Sequence, residues 1–188
     1  MKMKSFDVPH KVDNVYDLAL PIVITDTTDK RVLFIVDGPD FGEKKNGSLF
    51  SGIQGKLLIN LVNKAKHTYI VNADDKEFSW SAINFMNADY SKSNYKKQYE
   101  YFLKRVLAYI GRFKPTSIVC MSQRFMKYFY PEKFGKLGYE NYGKYLGSFV
   151  KHEGLKIFLS LDLLDVIQAK GEEGLAGTLG IVSRCIAW

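Results

Sequence analysis

The run Arg31-Val-Leu-Phe-Ile-Val-Asp37 constrains the fold more than any other segment. Its apolar residues follow one another without the polar alternation of a half-solvated strand, so both faces must be covered. Gly38-Pro39 then stops the strand at a loop. A strand of this kind belongs inside a parallel sheet with helices above and below, and the rest of the chain reads as the elements such a sheet needs. From Gly52 the positions Ile53, Leu57, Leu58, Leu61 and Val62 fall on one helical face, and His67 to Asn72 reads as a second strand. Tyr95, Tyr99, Phe102, Leu103, Val106, Leu107 and Ile110 make the stripe of a long helix, with Lys97, Lys104 and Arg105 opposite. Ser117 to Met121 is a third strand, Gln123 to Tyr130 a short helix stopped by Pro131, and Glu132 to Phe149 a loop rich in Gly, Lys and Tyr. Lys156 to Leu161 is a fourth strand, and the remainder to Trp188 is mostly helical.

This alternation predicts an α/β fold: a three-layer α/β/α sandwich around a central four-stranded parallel sheet. Ligands of such sheets lie beyond the carboxyl ends of the strands. Those ends are Asp37-Gly38-Pro39, Asn72, Ser122 and Asp162. A length of 188 residues suits a single domain. Residues 1–30, with Pro9, Pro21 and a polar cluster from Thr25 to Lys30, read as an irregular arm, leaving 31–188 as the domain.

Charge and special residues narrow the functional classes. A net charge of +7 favours a polyanionic partner, because neutralised phosphates release counterions. Cys120 and Cys185, lacking any Cys-x-x-Cys spacing, assemble neither a disulfide framework nor a four-ligand metal site, and His10, His67 and His152 have no metal-ligand spacing. Gly42-Glu-Lys-Lys-Asn-Gly47 lacks the Gly-Lys-Ser/Thr ending of a phosphate-binding loop, and no G-x-G-x-x-G follows the first strand. With no transmembrane-length apolar run and no signal-peptide core in the opening residues, a cytoplasmic protein without membrane partners is expected.

Phe34 to Leu58, FIVDGPDFGEKKNGSLFSGIQGKLL, resembles the first motif of the iron-sulfur branch of the uracil-DNA glycosylase superfamily, F-V-G-E-A-P-G followed by G-x-P-F-V-G-x-A-G-x-L-L. The two align without a gap: Pro39, Gly47, Phe50, Gly52, Gly55, Leu57 and Leu58 stand where the family has the same residues, and Asp37 where it has glutamate. Tyr69-Ile-Val-Asn72 resembles the family's Y-I-T-N strand, and Phe113 to Arg124 its I-K-P-K-V-I-V-x-L-G-R segment. The resemblance implies an enzyme that flips a nucleotide out of DNA and hydrolyses its N-glycosidic bond. Phe50 would stack on the base, Asn72 would bond its edge, and loop amides near Gly38 and Asp40 would line the pocket. Asp37 would position the attacking water and stabilise the oxocarbenium-like state. Lys44 and Lys45, with Lys127, Lys133 and Lys136, would track phosphates around the mouth.

Two departures bear on activity. The iron-sulfur branch uses four cysteines and this chain has two, so neither that cluster nor another cofactor is expected. The family's final His-Pro-Ser motif falls at Ser160-Leu-Asp-Leu-Leu164, with Asp162 in place of histidine and Leu163 in place of proline. The histidine donates a hydrogen bond to the departing base, whereas an ionised aspartate would repel it. Two expectations therefore stand side by side. One is a divergent, cluster-free glycosylase acting on uracil or another modified base. The other is a catalytically degenerate DNA-binding subunit of a replication or repair assembly of phage type, with a DNA polymerase or other replication protein as partner.

Overall fold

The apolar run at Arg31–Val36 forms strand β1, and five of its six residues are fully buried, as a strand covered on both faces must be. The computed structural model describes residues 30–46, 50–70, 78–86, 95–136, 139–169 and 171–187. After β1 come helix α1 (Phe41–Asn46), α2 (Ile53–Ile70), β2 (Ser79–Asn84), α3 (Tyr95–Phe113), β3 (Ser117–Met121) and α4 (Gln123–Phe129). Then follow α5 (Pro131–Phe134), α6 (Tyr139–Gly143), β4 (Phe149–His152), β5 (Leu155–Leu159), α7 (Leu163–Ala169) and α8 (Gly171–Ala187). The five strands make one mixed sheet in the order β2-β1-β3-β5-β4. β1 pairs in parallel with β2 and with β3, and β3 with β5, while β4 runs antiparallel to β5 at the edge.

Side-chain alternation along the strands divides the core in two. Leu33 and Ile35 join Ile83, Ile118, Cys120, Ile157 and Leu159 on one face, against Phe102, Val106 and Tyr109 of α3 and Phe125 and Met126 of α4. Val32, Phe34 and Val36 join Ala82, Val119, Met121 and Phe158 on the other, against Leu58, Leu61, Val62 and Ala65 of α2 and Ile181, Val182, Cys185 and Ile186 of α8. Among the described residues, no helix is long and apolar enough to cross a membrane.

The structure corrects the expected architecture in three places. His67 to Ile70 are not strand: they are the last turn of α2. Leu58, Leu61, Val62 and Ala65 keep a 3.6-residue period that outweighs the β-branched composition of the segment after them. The strand beside β1 is instead Ser79–Asn84, within the stretch from Ala73 to Asn94 that looks merely polar. Its two serines are buried, and Ser81 Oγ lies 2.5 Å from the Tyr109 hydroxyl of α3. Finally, among the described residues the sheet has five strands rather than four, one of them antiparallel. β4 arises at the end of the expected loop and turns into β5 through Glu153 and Gly154, both at positive φ (48° and 79°), the backbone of a tight two-residue hairpin.

Arg105 departs from expectation in the same way. The stripe of α3 puts it on the polar face, yet it is buried, and its guanidinium donates to the backbone carbonyls of Asn84 and Phe85. A long charged side chain thus satisfies carbonyls at the end of β2 and fastens α3 to the carboxyl edge of the sheet.

Candidate functional site at the carboxyl edge of the sheet

From β1 the chain passes to β2 on one side, and β3 then lies on the other, so the sheet reverses its winding between β1 and β3. The crevice above such a reversal is open because the loops leave it in opposite directions. Asp37, directly after β1, and Ser122, directly after β3, meet there: Ser122 Oγ donates to Asp37 Oδ1 at 2.6 Å. Arg124 Nη1 pairs with Asp37 Oδ2 at 2.5 Å. Ser122 is also the N-cap of α4, its hydroxyl oxygen accepting from Phe125 N at 3.0 Å. One short side chain therefore starts a helix and orients a carboxylate.

Asp162 approaches from the end of β5. Its Oδ1 accepts from Leu164 N at 2.7 Å and its carbonyl from Val166 N at 3.0 Å, so it caps the start of α7. Burial, reinforced by the charge of Asp37, pushes its carboxyl up to about 7, against the Leu164 amide, which acts the other way. Burial also raises Asp37 above the ordinary carboxylate range, with Ser122 and Arg124 opposing and Asp165 adding to the rise. Two carboxyls that feel each other in a half-dry crevice cannot both ionise freely. Burial and the neighbouring Asp37 charge thus favour the protonated form of Asp162 over the ionised, repelling one that the sequence suggests.

The loop after β1 is organised by a second group of carboxyls. Asp40 Oδ1 accepts from Glu43 N at 2.8 Å while Glu43 Oε2 accepts from Asp40 N at 2.7 Å, a reciprocal capping box at the start of α1. Asp40 Oδ2 reaches on to Gln54 N at 2.9 Å, at the start of α2, and Glu43 Oε1 accepts from Phe50 N. Gln54 Nε2 in turn donates to the Gly38 carbonyl at 3.0 Å. Two glycines make this possible. A Cβ at Gly52 would overlap the Asp40 carboxylate, and one at Gly55 would overlap the backbone of Phe50. Phe50 itself sits at φ 57°, a left-handed backbone that a bulky residue adopts only when held.

Of the residues singled out by sequence, Asp37 and Asp162 stand at the same edge of the sheet, near enough for the charge of Asp37 to raise the Asp162 carboxyl. Gly38 lies beside them, close against Met86. Asp40 lies next to the crevice, but its amide is already taken by Glu43. Phe50 is 6% exposed and packs in the core with Val36, Leu58 and Leu163. Asn72 and the side chains of Lys44 and Lys45 fall outside the described residues. Lys127 is half-buried on α4, and Lys133 and Lys136 are exposed beyond it. Lys133 Nζ stands 5.1 Å from the ring centre of Tyr145.

Several site residues escape the sequence reading. Arg124 looks there like an ordinary member of a resembling segment. Asn84 ends β2 in register with Val36, and its side-chain oxygen is buried without a hydrogen-bond partner among the described residues. By strand alternation it lies on the face of Trp80 and Ala82, the face that also holds Phe50. Beside Asp162 a cleft of about 50 Å³ is lined by Gln123, Tyr142, Gly143, Leu146, Ser160, Leu161 and Asp165. Only the assignment of β2, and the fold that joins α4, α6 and α7, bring these residues to one edge. Among the described residues no group of three His, Cys, Asp or Glu side chains is arranged to hold a metal ion.

The arrangement holds one carboxylate, Asp37, beside a cation and a hydroxyl, and places a second, Asp162, at the edge of a small cleft. No protein-family model matches the chain, and no curated protein matches it in sequence.

Proposed function

We propose that the chain is a divergent DNA glycosylase resembling the uracil-DNA glycosylases, a three-layer α/β/α sandwich that hydrolyses the N-glycosidic bond of a flipped uracil or other modified base. The observation that carries this reading is the pair of carboxyls at the carboxyl edge of the sheet, Asp37 after β1 at the reversal point and Asp162 after β5, the second raised by burial and by the charge of the first. Hydrolysis of an N-glycoside needs negative charge near an electron-poor sugar and a proton for the departing base. In this reading Asp37, oriented by Ser122 and Arg124, holds water against the sugar C1′ and takes its proton. Asp162 gives its own proton to the base. The C1′–N bond breaks, the water oxygen bonds to C1′, and an abasic sugar and free base result.

The base-reading asparagine of the resemblance belongs at the end of the strand beside β1, and that strand is β2. Asn84, which ends that strand, is a second candidate for this role beside Asn72, which lies outside the described residues. The Asn84 oxygen, without a partner among the described residues, suits an acceptor for a ring N–H. Lys127, Lys133 and Lys136 remain the proposed phosphate contacts.

One observation favours the accessory-module reading. Arg124 pairs closely with Asp37, and an ion-paired carboxylate is a weaker base. Single-turnover incubation with uracil-containing single- and double-stranded oligonucleotides, followed by alkaline cleavage of abasic sites, separates the two. Excision by the wild type and its loss in Asp37→Asn supports the enzyme. DNA binding without excision by either protein leaves the module.

A further inference from the structure

The loop after β1 and the helix behind it turn their acids inward and their apolar and basic groups outward. Asp40 and Glu43 are 8% and 2% exposed, both engaged in the capping box, whereas Phe41 between them is 82% exposed. Ile53, which opens α2, is 64% exposed, and Ile59 on the flank of the same helix is 41% exposed. Gly42 lies against Gly52, so Phe41 and Ile53 stand on neighbouring stretches of backbone. Single exposed apolar side chains are ordinary, but three large ones along one ridge mark a surface that something covers. None of the 18 residues of α2 is acidic, and Lys56 and Lys64 are exposed beside the isoleucines. A complementary cover is therefore both apolar and acidic.

A second copy related by a twofold axis would set the lysines of one molecule against the same lysines of the other. DNA would satisfy the lysines but not the isoleucines, because a β-branched side chain on a helix flank does not reach between stacked bases. The first 29 residues of the chain itself, which lie outside the described residues, have the required chemistry. From Ser5 to Asp29 they carry five aspartates against a single lysine, and Val15 to Ile24 is apolar apart from Asp17. They join the described structure at Lys30, whose carbonyl accepts from Ser79 N at the amino end of β2, the edge of the sheet toward which α2 runs. Extended, such a segment spans roughly 90 Å, against about 27 Å for the length of α2, so it reaches from there to Phe41.

We propose that residues 5–29 dock on the outer face of α1 and α2, their apolar run against Phe41, Ile53 and Ile59 and their aspartates toward Lys56 and Lys64. Tethering keeps the local concentration of the segment high, so a contact of modest intrinsic strength suffices. The proposal is independent of the glycosylase reading, since it concerns a face beside the crevice and none of the carboxyls in it.

The full chain carries the test. Cys120 and Cys185 are buried, so the thiol introduced by Asn14→Cys takes a nitroxide spin label selectively. In NMR spectra the amide signals of Phe41, Ile53, Lys56 and Ile59 should then lose most of their intensity, while those of Lys104 and Lys127, beyond the opposite face of the sheet, keep theirs. Ile53→Glu with Ile59→Glu, both at exposed positions, should restore the lost signals in a chain that otherwise keeps its folded spectrum, and Lys56→Glu with Lys64→Glu should restore them in part. Undiminished signals along α1 and α2 would overturn the proposal, as would broadening that survives Ile53→Glu with Ile59→Glu. Broadening found only between chains, in a mixture of spin-labelled and isotope-enriched molecules, would assign the face to a second copy and overturn it as well. So would undiminished signals at Ile53 and Ile59 that shift on addition of duplex DNA, which would assign the face to nucleic acid.

Discussion

The loop after β1 and the crevice between β1, β3 and β5 are adjacent, and both are polar, yet they are built on opposite principles. In the loop nearly every buried polar group has a partner: Asp40 caps α1 and α2, Glu43 holds two amides, and Gln54 reaches the Gly38 carbonyl. In the crevice, groups lack partners among the described residues or are raised in proton affinity: Gln123 Nε2, Ser160 Oγ and the carboxyl of Asp162. A closed network rigidifies, whereas an open one keeps bonding capacity for something else. The lesson concerns motifs. Much of the glycine and acid spacing that resembles a catalytic signature is scaffolding, while the groups with spare chemistry sit a few residues away.

The largest expected effect breaks the scaffold. Gly55→Ala drives a methyl into the Phe50 carbonyl, in a region whose hydrogen bonds leave little room to shift. Chemical denaturation should show a loss of about 3 kcal/mol, the upper range for overpacking a rigid site. A loss near zero would mean that the loop can relax and is not the rigid half of the contrast.

A smaller effect sharpens the other half. The folded-state pKa of Asp162 lies above its ordinary 3.8, so the folded chain holds this proton more tightly than the unfolded chain does. Its contribution to stability is then fully present below about pH 4 and lost as pH rises through about 7. Wild-type stability should fall by on the order of 1–2 kcal/mol between about pH 5 and pH 8, and Asp162→Asn should flatten that slope. An equal slope in the variant would place the titration elsewhere. The smallest effect is on binding. Replacing Lys127, Lys133 and Lys136 together by Ala should lower the salt dependence of DNA affinity by up to about three phosphate contacts. An unchanged slope would remove these lysines from the interface.

The legible parts of the fold were those whose packing leaves a one-dimensional trace. β1, β3 and the strand at Lys156 announce themselves as unbroken apolar runs, and α3 through its aromatic stripe. β2 does not, because Ser79 and Ser81 are buried polar residues and Ser81 is satisfied by Tyr109, a partner 28 residues away. β4 is four residues long with Phe149 exposed, too short for its alternation to register. The same division holds for the site. Asp37, Ser122 and Asp162 could be named because they follow strands. Gln123 and Ser160 could not, because their lack of partners among the described residues shows only once α4, α6 and α7 are assembled around them.

The central claim is that Asp37 and Asp162 act as a base and acid pair on an N-glycosidic bond. The most direct measurement is the pH dependence of single-turnover excision from uracil-containing oligonucleotides by the wild type and Asp162→Asn. The account predicts that wild-type excision declines above about pH 7 as Asp162 loses its proton, and that Asp162→Asn is slower by about 10²-fold or more and has lost that decline. Wild-type excision that persists undiminished well above neutrality, or a variant with the wild-type profile, would contradict it.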